Sequence, residues 1–186
     1  MTDYCKISQD SPLHKSYHDK EYGFPVSSDD VLFERLSLEI FQAGLSWGLI
    51  LKKRSFIKSA FSHFNINSVS KYNTENVEDL LNNEGIIRNR LKILSIIENA
   101  KRLKRLCQIH GSFVNWLDFK HPLENKKWVK IFKNTFKFTG NEITREFLMS
   151  TGYLPGAHTT NCKVFRKIIS LNPPWVKALN SITEKN

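Results

Sequence analysis

The chain is short of cysteine, of long apolar runs, of strand-like alternation and of acidic charge, and each shortage argues against a class of protein. Cys5, Cys107 and Cys162 make an odd count with no CxxC pair, and the opening segment MTDYCKISQD lacks the apolar stretch of a secretory leader. Both features argue against a disulfide framework and point to a reducing, cytoplasmic setting. The apolar runs fall short of the roughly 20 residues that cross a bilayer and are mostly broken by Lys or Arg, so membrane insertion is not expected. Strict alternation over a strand length is hard to find, which argues against a β-fold, and there is no internal repeat, low-complexity run or linker. Asp and Glu total 18 against 28 Lys and Arg, a formal charge of +10 with a pI near 9.6. That balance favours polyanionic partners over acidic proteins or neutral metabolites, although a merely soluble basic protein has the same composition.

What is present is helical spacing. Ser28, Asp29 and Asp30 supply a cap and an acidic first turn for a helix running to about Ala43, where Gly44 stops it. LILKKRSFIKSAF follows as a second helix, with Leu49, Phe56, Ile57 and Ala60 expected on its buried side. Short helices are expected at NSVSKY and, capped by Thr74, at ENVEDLLNN. The longest runs from about Arg88 to Ile109, with Ile93, Ile97, Ala100, Leu103 and Cys107 in one stripe, so Cys107 reads as core. SFVNWLDF, NKKWVKIF and NEITREFLMS are further candidates, while NPPWVKALNSITEKN looks partly irregular with a frayed polar end. The expectation is an all-α unit of 186 residues, long enough for a proper core. It is one domain or two small lobes, a hairpin lobe over about 48–135 and a lobe drawn from about 1–47 and 136–186.

Four constellations could carry chemistry. On a wheel of about 100° per residue, Glu39 lies within about 40° of Leu32, Leu36 and Ala43, so its carboxylate points with the core-facing side chains. Removing it from water costs several kcal/mol unless it has a partner or a ligand. A salt bridge to Arg35 one turn earlier is one explanation; the Gly44-Leu45-Ser46 turn ending in Trp47 suggests the other, a pocket mouth. NEGIIRNRLKI, from Asn83 to Ile93, offers a Gly-containing turn and a new helix start, where Arg88, Arg90 and Lys92 could grip phosphates in the manner of a helix-hairpin-helix. A plain αα-hairpin fits as well, since Ile87 stands where a second glycine is common. Cys5, His18, His158 and Cys162 suit a tetrahedral zinc that ties the chain ends together, although unrelated His and Cys residues would look the same. YHDKEYGFP crowds Tyr17, Tyr22 and Phe24 into nine residues, enough to stack on a nucleobase or simply to dock on the core. KRLKR, at 101–105, is a solvated helix face or part of a phosphate track.

Taken in order, SQD at 8–10, YHDKEYG at 17–23, LFERLSLEIFQAGLSW at 32–47, LKKR at 51–54, GIIRNRLKI at 85–93, FKFTG at 136–140 and the His158-x3-Cys162 pair resemble the 3-methyladenine DNA glycosylase I family. The resemblance implies a helix-hairpin-helix glycosylase fold with one structural zinc held by Cys5, His18, His158 and Cys162. It makes Glu39 the base-recognition acid and puts Tyr17 and Trp47 on the base, joined by Tyr22, where tryptophan is expected, and His14, where tyrosine is expected. Ile7 stands in place of another tryptophan, and Pro155-Gly156-Ala157 in place of Val-Asn-Asp. DNA contacts are implied at Gly44, Leu45, Gly85, Ile87, Arg88 and Arg90, with Leu45 wedging into the gap left by a flipped base.

The activity so implied is monofunctional hydrolysis of 3-methyladenine from alkylated double-stranded DNA by a monomer. The base is held between Tyr17 and Trp47, and no Schiff-base lysine takes part. The rivals are a non-catalytic DNA-binding or lesion-sensing module and a zinc-stapled helical protein that binds RNA or another protein.

Overall fold

The computed structural model describes residues 4–183, in which twelve α-helices and no strand are found. They are α1 (Tyr4–Ile7), α2 (Pro12–Lys20), α3 (Asp29–Gln42), α4 (Trp47–Ala60), α5 (Ile66–Val69), α6 (Thr74–Asn82), α7 (Arg90–His110), α8 (Phe113–Lys120), α9 (Asn125–Thr135), α10 (Asn141–Ser150), α11 (Lys163–Ser170) and α12 (Pro174–Thr183). None of them is long and apolar enough to cross a membrane.

The axle is α3, which packs against α4, α5, α7, α8 and α10. Leu32, Phe33, Leu36, Leu38, Ile40 and Phe41 are all fully buried, so the helix is apolar nearly all round and has to lie inside. Its start is fixed by the Ser28 hydroxyl, which accepts from Val31 N at 3.4 Å. Asp29 does a second job there, accepting from Phe113 N and Val114 N at 3.0 and 3.1 Å and so capping α8 from a distance in sequence. The helix stops before Gly44, whose φ of +80° is a left-handed conformation costly for any residue with a Cβ. Phe113, Trp116, Trp128, Phe132, Phe136 and Phe147 fill the space beside α3. Each such side chain contributes about 2 to 3 kcal/mol of burial.

Several boundaries differ from those the sequence suggests. The long helix begins at Arg90, capped by the Asn89 side chain, which accepts from Lys92 N at 3.1 Å. In α6 the cap is Asn73, not Thr74: Asn73 and Asn76 exchange hydrogen bonds in a reciprocal box. The C-terminal segment is a regular helix from Pro174, a residue suited to a first turn because its missing N–H has no partner to lose. Residues 184–186, where the frayed end was expected, lie outside the described residues. Cys107 is half-buried against the core, with Sγ 3.5 Å from Asp29 Oδ2. Phe56 is 60% exposed rather than buried. One flank of it packs on the hairpin, since a Cβ added to Gly85 would lie 3.0 Å from its Cβ.

Candidate active site

The chain end of α2 carries two consecutive side chains into different surroundings. Tyr17 enters an open-mouthed cavity of about 540 Å³, and His18 enters a Cys/His cluster. The cavity wall is aromatic: Tyr17 lies 5.1 Å from Trp47 and 5.7 Å from Tyr22, and Tyr22 lies 5.1 Å from Tyr4, ring centre to ring centre. The Arg35 guanidinium sits 4.8 Å from the centre of the Tyr17 ring. The polar lining comes from Glu39 and Gln42 of α3 and from Glu142, Arg145 and Glu146 of α10, with Ile7 completing the apolar part.

Glu39 is 7% exposed and has no hydrogen-bond or ion-pair partner among the described residues. Arg35, the partner one turn earlier that could have explained it, instead pairs with Glu21 at 2.9 Å. Glu21 in turn takes both terminal nitrogens of Arg54 at 2.8 Å, and Arg54 Nε reaches Glu34 at 2.7 Å. All three nitrogens of Arg54 are thus bonded, whereas Arg35 gives Nη2 to Glu21 and keeps Nε and Nη1 buried without a hydrogen-bond partner, and Arg145 lines the cavity itself. Burial, and secondarily the charge of Glu146, push the Glu39 carboxyl up to about 8 despite the opposing pull of Arg35. The Tyr17 hydroxyl is likewise buried with no hydrogen-bond partner.

Two expected features of this wall take a different form. Tyr17 and Trp47 touch each other at an interplanar angle of 57°, so no slot for a base lies between them. A flat ligand has to lie against the pair. His14 does not reach the cavity lining; its Nδ1 is 3.0 Å from the Tyr4 hydroxyl, so it braces a ring that does.

At the mouth, Gly44 is exposed and Leu45 is half-buried, packed against the core. The end of α3 is held by Lys92 of α7, whose ammonium donates to Phe41 O at 2.8 Å and Ala43 O at 2.6 Å. Lys92 is therefore a buried tie and not a phosphate-gripping side chain, and its burial lowers its pKa. Arg88 and Arg90 are exposed, paired with Glu84 at 3.7 Å and with Glu78 respectively. Ile87 packs on the core, and the Gly85 N–H donates to Asn83 Oδ1 at 2.8 Å.

In the cluster, the ligand atoms of Cys5, His18, His158 and Cys162 all lie within 4.8 Å of one another and could hold a metal ion. His18 Nε2 and His158 Nδ1 are 3.1 Å apart, and Cys162 Sγ is 3.6 Å from each of them. Cys5 Sγ is 3.7 Å from His158 Nδ1. The outer nitrogens are occupied as ligating imidazoles require. His18 Nδ1 donates to Asp19 at 2.7 Å, which holds that carboxyl below the usual range, and His158 Nε2 donates to Tyr22 O at 2.7 Å. Burial first of all keeps the His158 pKa low, favouring the neutral, ligating form.

A family model described as methyladenine glycosylase matches residues 7–134. The chain belongs to the methyladenine glycosylase family. Among relatives, DNA-3-methyladenine glycosylase 1 of Escherichia coli (strain K12) is 34% identical over 175 residues, covering 84% of this chain and 92% of that protein. DNA-3-methyladenine glycosylase of Haemophilus influenzae is 39% identical over 101 residues, 54% of this chain and 55% of that one. A solved 3-methyladenine DNA glycosylase I from Staphylococcus aureus superposes with a TM-score of 0.79 at 27% identity, over 87% of this chain and 95% of its own. A solved variant of 3-methyladenine DNA glycosylase I in complex with 3-methyladenine superposes equally well at 26% identity, over 88% and 97%. Family membership accounts for the all-α fold.

Membership does not by itself point to Gln42, Glu142, Arg145, Glu146 or Tyr4; Gln42 lies within the 32–47 motif but receives no role there, and the sequence motifs do not single out the other four. Tyr4 could have been found from its place beside Cys5. Nothing local distinguishes Glu146 from a surface acid on an amphipathic helix.

Proposed function

We propose that this protein is a monofunctional DNA glycosylase that hydrolyses the N-glycosidic bond of 3-methyladenine in alkylated double-stranded DNA, working as a monomer in the cytoplasm. The observation that carries the proposal is the buried Glu39 carboxyl, which has no partner among the described residues and lies in an aromatic-walled cavity, because a bound ligand would supply the partner that such a group lacks. The family and the relatives named above support the same chemistry.

An N3-methylated adenine carries positive charge and leaves as a neutral base, so little acid catalysis is needed. The damaged nucleotide is flipped out of the duplex and its base stacks against the joined faces of Tyr17 and Trp47, with Tyr22 and Tyr4 behind. Cation–π attraction, about 2 kcal/mol when desolvated, favours the alkylated ring over neutral adenine. Glu39 accepts hydrogen bonds from the base edge and, once ionised, complements its charge. Water then attacks C1′ of the oxocarbenium-like sugar.

The hairpin between α6 and α7, with Gly85, Ile87, Arg88 and Arg90, is proposed as the backbone grip. Arg88 and Arg90 exchange Glu84 and Glu78 for phosphates, and Asn83 yields the Gly85 N–H. Gly44 and Leu45 meet the duplex at the cavity mouth, and the hairpin and terminal segments act as two lobes around it.

We assign the Cys5, His18, His158 and Cys162 cluster to one structural zinc ion. Zn–S bonds of about 2.3 Å and Zn–N bonds of about 2.0 to 2.1 Å in a tetrahedron place N and S neighbours about 3.6 Å apart and two N atoms about 3.3 Å apart. The pairs at 3.1, 3.6 and 3.7 Å lie close to that set, and four protein ligands would leave no position for a catalytic water. The ion supplies cross-linking of the chain ends only.

The test is release of 3-methyladenine from methylated duplex DNA, followed by chromatography. Release by the parent and its loss in Glu39→Ala are expected. Tight binding of methylated DNA with no release over long incubation would instead make the protein a lesion sensor.

A further inference from the structure

Two carboxylates besides Glu39 line the cavity, Glu142 and Glu146, and Glu146 is the one bonded to an aromatic residue of the wall. Glu146 is carried on α10, next to the fully buried Phe147, and lines the same cavity as Glu39. Its Oε2 accepts from the Tyr22 hydroxyl at 3.1 Å, a contact between positions 124 apart in sequence. Tyr22 is itself 8% exposed and so holds Glu146 from a fixed place. Tyr22 stands where tryptophan is expected, and in this chain it is the phenol O–H that makes the contact.

The surroundings leave this second acid without a strong cationic counterpart across the cavity. Tyr22 approaches it from the α2–α3 connection, Glu39 faces it from α3, and Glu142 and Arg145 flank it on α10. Burial raises its pKa most, the Tyr22 hydrogen bond and Arg145 lower it, and Glu142 raises it, leaving it above the usual carboxylate range. Arg35 gives Nη2 to Glu21 and lies over the face of Tyr17, with its Nε and Nη1 buried and unbonded.

Two carboxyl groups directed at one cavity repel when both are ionised, and a cation placed between them removes that cost. A neutral purine does not. That the cavity is built for a ligand is indicated independently by the partnerless Glu39 and by the unbonded, buried Tyr17 hydroxyl.

We propose that Glu146 is a second recognition carboxylate, positioned by the Tyr22 hydroxyl, which together with Glu39 makes the cavity select the positive charge of an alkylated purine rather than purine shape alone. This rests on the glycosylase reading only for the identity of the natural ligand. A site with one carboxylate reads mainly the donor groups on one base edge. A pair on different helices senses charge that is spread over the whole ring.

The test uses the full chain and two free purines: 3,9-dimethyladeninium, which is permanently cationic, and 9-methyladenine, its neutral counterpart. Affinity for each is measured by calorimetry, and the ratio is the readout. The parent is expected to prefer the cation. Glu146→Gln, which keeps an acceptor for Tyr22 but loses the charge, is expected to cut the ratio about tenfold, with affinity for the neutral purine changed less than twofold. Tyr22→Phe, which frees Glu146 to turn away, is expected to cut it by a smaller factor. Glu124→Gln, the same change of net charge at an exposed site on the α9 cap, is expected to leave the ratio alone.

An unchanged ratio in Glu146→Gln, no preference in the parent, or failure of the parent to bind either purine overturns the inference. Failure of the parent to release 3-methyladenine from methylated DNA, with a Glu146-dependent ratio intact, overturns the glycosylase reading and leaves this one standing.

Discussion

Tyr17 and His18 are adjacent in the chain, yet the polar groups around them are in opposite conditions. Around His18, both imidazoles have their outer nitrogens bonded and their inner ones turned toward two sulfur atoms, an arrangement that could hold a metal ion. Around Tyr17, the phenol oxygen, two nitrogens of Arg35 and the Glu39 carboxyl have no hydrogen-bond partner among the described residues, while Arg54 and Glu34 are bonded to each other and Arg54 also to Glu21. Polar satisfaction separates architecture from receptor here: the first cluster is closed to substrate, and the second keeps unmet bonding capacity at a cost in stability. Experiments that remove one component at a time should therefore give opposite results on the two sides of α2.

The largest effect is expected at the closed cluster. With the proposed zinc bound, a strong chelator, or replacement of Cys162 by alanine, should lower Tm by more than about 10 °C, since a four-ligand structural zinc contributes on the order of 10 kcal/mol. Differential scanning fluorimetry together with metal analysis checks this.

In the cavity the order reverses. Glu39→Gln should reduce release of 3-methyladenine by about 100-fold or more, in line with the loss of one preorganised electrostatic partner, while Tm stays level or rises. Its pH dependence sharpens the contrast. The folded Glu39 carboxyl is raised from 4.5 to about 8, so the folded state binds its proton more tightly than the unfolded chain does. The resulting stability is complete below about pH 4.5 and is lost as pH climbs toward 8. The Tm of Glu39→Gln minus that of the parent should therefore widen between those values, and a gap that is flat with pH would contradict the burial of an unpaired acid.

A middle-sized effect is expected from Lys92→Met, which strips the Phe41 and Ala43 carbonyls of their donor. Stability should fall by about 1 to 3 kcal/mol in denaturant titration, with several-fold slower release, because the helix carrying Glu39 loses its anchor. The smallest effect is expected on the hairpin. Arg88→Ala and Arg90→Ala should each weaken DNA binding a few-fold and lower the slope of log affinity against log salt by about 1, without altering affinity for a free base.

Much of the fold is visible in the periodicity of the sequence, because α3 and α7 are long and patterned. Glu39 is visible for the same reason, as an acid within a stripe of Leu32, Leu36 and Ala43. The Cys/His set is suggested by ligand chemistry, but only tertiary folding brings positions 5 and 158 together. Other features depend on packing that has no local signature. Phe56 looks like core on its own helix and is exposed because the hairpin covers only one of its flanks. Lys92 looks like a surface cation and is buried because α3 ends beside it. Glu146 has the pattern of a solvated residue until Tyr22 comes up against it. His14 sits among stacking candidates by position, yet its ring is occupied with Tyr4.

Lys92 has a mechanical consequence. It springs from the first turn of the helix that follows the hairpin and ends on the last carbonyls of the helix that bears the acid. The elements proposed to hold the strand and to receive the nucleotide are thus tied together by one buried side chain, so a change at the hairpin is felt at the end of the helix that carries Glu39.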